Sequence, residues 1–383
     1  MKIRTSKLGI QTSAWVLVSA FCVTSLTGCG ANGSFTQGLG PESPDTAVVG
    51  LHGKVHGGPN PVAGATVTLY STTTSGSPSS LNNYGYGVAG NVLGSTTTLS
   101  DGSFSFTGDA SKCSAGQQAY IVAAGGNTAG QTANAAALLM AALGPCSGIS
   151  DSTAVIIDEP TTIAAAYALS GFMTVSGTTV NISAPANNNA STAICTTSGT
   201  SPNVVTTGCV SSGLAHAFLN AANLVNSSTG VVNATVTTGS ALITGTVPQQ
   251  LINTLANSVE ACINSSGDTS TPTAPCTVLM TNTTPTALLA SATTPTNTLQ
   301  ALLDLAQYPS ESSAPSTSVS GGAQIPSSAA TTALFNVANS NAYYAPALTT
   351  EPIDFTIGIN YVLSPAGSAA APWGISTDVD DNV

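Results

Sequence analysis

Two adjacent carboxylates, Asp158 and Glu159, are the residues of this chain whose types and spacing most suggest chemistry. They follow an apolar run, residues 154–157, and precede a predicted helix that begins at Pro160. Paired acids perform general acid and base catalysis on glycans. Adjacent side chains of a strand point to opposite faces, however, and carboxylates at a helix N-terminus are stabilised by the helix dipole. We therefore interpret the pair as structural rather than catalytic.

The chain contains three histidines, which are the other candidates for catalysis or metal binding. His52 and His56 would share one strand face about 13 Å apart, too far to hold one metal ion, and we expect both to face solvent. His216 is the single histidine of the region predicted to be helical, where packing or surface roles are more common. The sequence has no zinc-protease, serine-hydrolase, phosphate-loop or dinucleotide motif. We predict no catalytic residue, no metal site and no cofactor.

The eight cysteines carry more information. Cys22 and Cys29 lie in the N-terminal segment, and the other six show no Cys-x-x-Cys spacing typical of zinc or redox sites. An even set in an oxidising compartment predicts disulfides. Several pairings are possible, and the low entropy cost of closing short loops favours local ones. We predict three pairs: Cys113–Cys146, Cys195–Cys209 and Cys262–Cys276.

The charge composition of the chain limits the kinds of molecule that it can bind. The chain has 16 acidic and 5 basic residues, and after residue 28 the basic ones are Lys54 and Lys112 alone. Phosphate groups are neutralised by clusters of lysine and arginine, so we predict no nucleic-acid partner. Charged residues make up only 5% of the chain, which leaves its surface to Ser, Thr, Asn and Gly. This balance is typical of exported surface proteins.

The N-terminal sequence predicts the localisation of the protein. Basic residues in 1–4 precede an apolar stretch at 14–23, and Leu26-Thr27-Gly28-Cys29 follows. This order resembles a bacterial lipoprotein signal, which implies removal of residues 1–28 and lipid attachment at Cys29. The apolar stretch is shorter than the ~20 residues of a spanning helix. We expect an exported protein, anchored through its lipid in the cell envelope. Gly30 after the cysteine implies the outer membrane. The alternative is an ordinary signal peptide with a chance cysteine, leaving the protein soluble outside the cell.

Residues 48–126 have the pattern of a sheet. Val67 and Leu69 alternate with polar neighbours at the period of two that marks a half-buried strand. Residues 57–61 contain two glycines and two prolines and predict a turn. Asp101-Gly102 predicts a second turn between strand-like runs. We predict a half-buried antiparallel sheet, and the resemblance described next implies that it forms a small antiparallel β-sandwich.

Three segments of this region, 53–55, 61–69 and 98–106, resemble the carboxypeptidase regulatory-like domain. The resemblance implies a transthyretin-like sandwich of about seven strands, a scaffold that usually carries no catalysis. A Ser/Gly/Asn-rich insertion at residues 71–94 departs from the pattern, and we expect it to form a surface loop.

After residue 126 the period changes to that of helices. We predict helices at residues 133–143, 161–168, 212–225, 248–263, 298–305 and 330–338. The strongest is 248–263, which has an apolar stripe and a proline in its first turn. Because alanine-rich helices bury little area each, we expect an Ala/Thr-rich helical domain held together by its disulfides.

The order of these regions, with residues 137–146 and 157–162, resembles a group of exported bacterial surface proteins that carry an NHL-type β-propeller at the C-terminus. Residues 372–375 resemble the first strand of a propeller blade, and one strand cannot form a blade, so we expect the propeller to be absent from this chain. We predict a multidomain α and β protein divided as follows: signal peptide 1–28, linker 29–46, sandwich 47–126, helical domain 127–345 and extended tail 346–383.

Two functions agree with these features. The first is a non-enzymatic, lipid-anchored surface protein that acts as scaffold, spacer or binding module. The alternative is a glycan-binding or carbohydrate-active protein, which would use aromatic side chains: Tyr84, Tyr86, Tyr343 and Tyr344. Its sugar site would need neighbouring rings in an exposed groove with acids nearby. The expected partners are the membrane and a surface glycan or protein.

Overall fold

A computed structural model describes residues 49–74, 89–107, 117–128, 131–184, 212–237, 243–286, 291–309, 329–340 and 342–363. These ranges contain six α-helices and several sheets, so the protein has a mixed α and β fold. The predicted signal peptide and linker, including Cys29, lie outside them. No helix within them is long and apolar enough to cross a membrane.

The first sheet is built around β1 (Val49–Gly57). Leu51 and Val55 are fully buried, whereas the side chains of His52 and Lys54 are exposed, as the period of two requires. Antiparallel neighbours are β2 (Asn60–Pro61) and β6 (Ser103–Thr107). A fourth strand, β9 (Ala154–Ile157), pairs with β1 in parallel. We predicted a purely antiparallel sheet, and this sheet is mixed. The long stretch of chain between β1 and β9 allows the two strands to lie side by side in the same direction.

The second sheet is antiparallel, in the order β5-β3-β7-β8. Its strands are β5 (Asn91–Thr97), β3 (Thr66–Ser71), β7 (Gln118–Ala124) and β8 (Leu138–Pro145). Val67 and Leu69 of β3 are fully buried, which confirms the alternation. Tyr70 and Tyr120 stack across β3 and β7 with ring centroids 5.1 Å apart.

The prediction of a helix at residues 133–143 is wrong, because most of this segment belongs to β8. Its residues pair with β7 from Leu138 to Pro145. Leu138, Leu139 and Met140 are all buried, on both faces of the strand. A strand covered on both faces is continuously apolar and has no period of two. The sequence run therefore permitted either structure, and pairing with β7 decided between them.

The helices in chain order are α1 (Glu159–Ala168), α2 (Ser212–Leu224), α3 (Gln249–Ile263), α4 (Pro275–Thr283), α5 (Thr298–Gln307) and α6 (Ala329–Ser340). Five of them confirm predicted helices. We did not predict α4, whose nine residues have no strong apolar stripe. It begins at Pro275, and Cys276 of its first turn forms a disulfide with Cys262 near the end of α3. The structure thus contains the third predicted cysteine pair.

Helix α3 is buried on nearly all sides, and its polar side chains bind an extended segment of the chain. Asn257 accepts a hydrogen bond from the backbone N–H of Tyr344 and donates one to the carbonyl of the same residue. Asn253 donates to the carbonyl of Pro346, and the Thr254 hydroxyl accepts from the N–H of Leu348. These hydrogen bonds satisfy polar side chains of α3 and backbone groups of the extended segment at the same time. They hold residues 344–348 along the helix.

Short strands complete the fold: β4 (Thr73–Thr74) with β10 (Met173–Ser176) and β11 (Thr179–Ala184), β12 (Val225–Asn226) with β13 (Val231–Val232), and β14 (Thr235–Thr237) with β15 (Ile243–Thr246) and β16 (Asn360–Leu363). Strand β16 is the last element of the described part of the chain. Phe355, ahead of it, is buried and its carbonyl accepts a hydrogen bond from the Tyr167 hydroxyl.

Both large sheets and all six helices contribute to one connected cluster of buried apolar side chains. Strands β8 and β9 lie beyond residue 126 in the chain and pair with β7 and β1 before it. The predicted division at residues 126 and 127 stays a prediction. Within the described ranges, the packing around β9 and α1 is what brings the acid pair together with distant parts of the chain.

Candidate functional site

Asp158 lies at the junction of β9 and α1 and caps the helix. Its Oδ1 accepts a hydrogen bond of 2.9 Å from the N–H of Thr161, whose hydroxyl accepts one of 3.0 Å from the N–H of Asp158. This reciprocal capping box, followed by Pro160 in the first turn, is a strong signal for helix initiation. Asp158 is therefore the N-cap of α1.

Glu159, the next residue, is completely buried. Its Oε2 accepts hydrogen bonds from the hydroxyl of Tyr344 and, at 3.1 Å, from the N–H of Gly58. Its Oε1 has no hydrogen-bond partner in the described part of the protein. The side chain therefore joins three segments that are far apart in sequence: the turn after β1, the start of α1 and residue 344.

Gly58 is required at this junction. Its φ is +54°, a conformation that other residues rarely adopt, and a Cβ there would lie 2.3 Å from Oε1 of Glu260. The side chain of Glu260 on α3 thus packs directly against the backbone that donates to Glu159. We read the two glycines before Pro59 only as a turn, and the sequence has no signal that this turn touches two buried acids.

A cavity of about 350 Å³ opens beside these residues. Its walls include His56, Asp158, Gln249, Asn253, Tyr343 and Tyr344, together with the β12–β13 turn. Glu159 is not part of the wall. The cavity therefore combines one acid of the pair with side chains from β1, α3 and the segment after α6. Among these residues the sequence identified Asp158, Tyr343 and Tyr344 as candidates and missed Gln249 and Asn253, which resemble any other polar residues of a helix.

The two tyrosines form an edge-to-face pair. Their ring centroids are 5.0 Å apart and their planes meet at 78°, a favoured aromatic geometry. Tyr343 is 51% exposed, while the Tyr344 hydroxyl is held by Glu159. The hydrogen bonds of Asn257 to the backbone of residue 344 fix the position of the pair. One ring is therefore open to a ligand and the other is anchored.

Burial controls the charge of this region. It raises the pKa of Asp158 to about 7, against the opposing effect of the hydrogen bonds from Thr161. It raises the pKa of Glu159 to about 8, and the hydrogen bond from Tyr344 opposes this rise. It also raises the pKa of Glu260 to about 7. Removal of a carboxyl from water disfavours its charged form, so these acids exchange protons near neutral pH.

His56 does not face solvent freely, so that prediction is wrong. It is half-buried and lines the cavity, and burial followed by repulsion from Lys54 lowers its pKa. Residues far away in sequence, in the β12–β13 turn and at 343–345, surround the end of β1. His52 is exposed as expected. In the described ranges no three or more His, Cys, Asp or Glu side chains form a group that could hold a metal ion.

The remaining predicted site residues are placed only in part. Cys146 is disulfide-bonded. Also outside them lie Cys29, Cys113, Cys195, Cys209, Tyr84 and Tyr86. His216 lies on α2 and is not part of the cavity wall.

Comparison of the chain with models of protein families, with curated proteins and with solved structures finds no match. The carboxypeptidase regulatory-like domain and the lipoprotein signal, both inferred from resemblance, therefore stay predictions. The geometry of the cavity is the basis on which a function is proposed below.

Proposed function

We propose that this protein is an exported, lipid-anchored and non-enzymatic binding module that captures a glycan in the cavity beside Asp158. The observation that carries the proposal is the exposed ring of Tyr343, which lies next to the anchored Tyr344. Both tyrosines line the same cavity as Asp158, Gln249 and Asn253. Aromatic faces pack against the C–H faces of sugars, and carboxylates and amides bind their hydroxyls. Ligand cavities usually measure about 300–1,000 Å³, so a volume of about 350 Å³ fits a small ligand or the end of a sugar chain.

The arrangement of the acids supports binding rather than hydrolysis. Glycosidases place two carboxyl groups on either side of the bond that they cleave. Here Asp158 lines the cavity, but Glu159 lies behind Tyr344 and outside the wall. Oδ1 of Asp158 is also engaged in capping α1. The scaffold role expected from the sandwich resemblance is compatible with this module.

The anchoring half of the proposal rests on the sequence. Lipid attachment at Cys29 in the cell envelope is supported by the N-terminal segment, in which basic residues and an apolar stretch precede Leu26 to Cys29. The acidic balance of the chain supports a partner other than nucleic acid. A lipid anchor would hold the cavity near the cell surface, where glycans are abundant.

The test is binding of the purified protein to a glycan array, followed by calorimetry with the best soluble hit. Tyr343→Ala removes the exposed ring and should weaken binding about tenfold or more. The matched control is Tyr361→Ala, which removes a tyrosine that is 47% exposed on β16 and does not line the cavity. Absence of glycan binding, or equal loss in both variants, would refute the proposal.

A further inference from the structure

We propose that the cavity selects a glycan with a free protonated amine, which pairs with Oδ2 of Asp158. This inference rests on the proposed function and specifies the class of ligand. Asp158 is only 5% exposed, its Oδ1 accepts from Thr161, and its Oδ2 has no hydrogen-bond partner among the described residues. Oδ2 packs against Gly230, where a Cβ would lie 2.0 Å away, and both residues line the cavity. Asp158 thus brings a carboxyl group to the wall of the cavity.

The amides of the wall are arranged as acceptors. Gln249 donates its amide N–H to the carbonyl of Val232, and Asn253 donates its own to the carbonyl of Pro346. A carbonyl only accepts hydrogen bonds, so one N–H of each amide is held by the backbone, and this fixes the orientation of the amide group. The Tyr344 hydroxyl donates to Glu159. Asp158 and the two amide oxygens are therefore the acceptors that the wall can offer to a ligand.

The protein has little positive charge with which to balance Asp158. In the described ranges Lys54 is the only lysine and there is no arginine. Lys54 lies 3.8 Å from Asp101. The other titratable groups near the cavity are His56, Glu159, Glu260 and the two tyrosines, and burial lowers the pKa of His56. An unpaired buried carboxylate is unfavourable, so a cationic ligand supplies what the wall lacks.

An ammonium group fits this wall better than a divalent metal ion or a neutral hydroxyl. It presents three donors and no acceptor, which matches Asp158, Gln249 and Asn253. The exposed ring of Tyr343 adds a surface that attracts cations. Calcium needs six to eight oxygen ligands, whereas Asp158 is the one carboxylate of the wall. A hydroxyl would pair with Asp158 without balancing its charge.

The experiment compares three disaccharides of similar size by calorimetry on the full chain: the dimer of glucosamine, its N,N′-diacetylated form and cellobiose. The measurement is made near neutral pH, where both the amine and Asp158, whose pKa is raised to about 7, carry their charges. We expect the free amine to bind about tenfold or more tightly than the other two, because charged hydrogen bonds are the stronger kind. Asp158→Asn keeps a capping side chain of the same size and should remove the preference.

A second pair of variants does not disturb the cap of α1. Thr229→Lys introduces an ammonium group at an exposed residue of the cavity wall and should abolish the preference for the amine. Ser228→Lys adds the same charge one residue away, at an exposed position outside the wall, and should preserve it. Equal affinity of the wild type for all three sugars would overturn this inference and leave the proposed function standing. A preference that survives Asp158→Asn and Thr229→Lys would also overturn it. Absence of binding to all three and to the array would refute both proposals.

Discussion

Replacement of Glu159 by glutamine should lessen the loss of stability that the protein undergoes as the pH rises. The wild-type carboxyl has a pKa of 4.5 in the unfolded chain and about 8 in the folded protein, chiefly because it is buried. The folded state therefore holds an extra proton between these values. The stabilisation from this group is complete below pH 4.5 and is lost as the pH rises through about 8.

The magnitude follows from the same values. Each pKa unit corresponds to about 1.4 kcal/mol, so ionising Glu159 in the folded protein lowers the free energy of unfolding by roughly 4–5 kcal/mol. Glu159 has no exposed surface, so screening by solvent does not reduce this figure appreciably. It is a large part of the ~5–15 kcal/mol that stabilises a typical domain. Asp158 and Glu260, whose pKa values are also raised, add to the decline with pH.

The assay is urea unfolding at intervals from about pH 5 to about pH 9, followed by far-UV circular dichroism. Glu159→Gln keeps the size and the acceptor for Tyr344 and Gly58 but cannot ionise. It should change stability by about 1 kcal/mol or less at pH 5 and stabilise the protein by several kcal/mol at pH 9. Asp151→Asn, which removes one charge at an exposed position, is the control. Curves for Glu159→Gln and wild type that stay parallel over the whole range would refute the reasoning.

Four further predictions concern single features of the protein. Tyr344→Phe removes the hydroxyl that donates to Glu159 and should lower the free energy of unfolding by about 1–3 kcal/mol, with a further rise in the pKa of Glu159 measured by titration. Glu159→Gln combined with Tyr344→Phe should then cost less than the sum of the two changes. Mass spectrometry of membrane extracts should find a diacylglyceryl group on Cys29, and an unmodified soluble form in wild-type cells would contradict it. Replacing Cys262 and Cys276 together by alanine should lower the free energy of unfolding by roughly 2–4 kcal/mol, and non-reducing peptide mapping should show this pair intact in the wild type.

Features that depend on neighbouring residues were predictable from the sequence. The start of α1 follows from Asp158, Pro160 and Thr161, which cap and begin a helix without help from other segments. The amphipathic pattern of α3 and the alternation of β3 likewise identify a helix and a strand. The pairing of Cys262 with Cys276 was predictable because the two residues are only 14 positions apart and closing so short a loop costs little entropy.

The cavity was not predictable in the same way, because its parts meet only in the folded chain. The contact between Gly58 and Glu159 joins residues 101 positions apart, and the one between Tyr344 and Glu159 spans 185. The apolar run of β8 also became a strand only through pairing with β7. The sequence alone determined the start of α1, the helix α3, the alternation of β3 and which residues can ionise. The tertiary structure decided that both acids are buried and that Asp158 alone lines the cavity, because pairing of β9 with β1 and packing of α3 against residues 344–348 set the surroundings of each side chain.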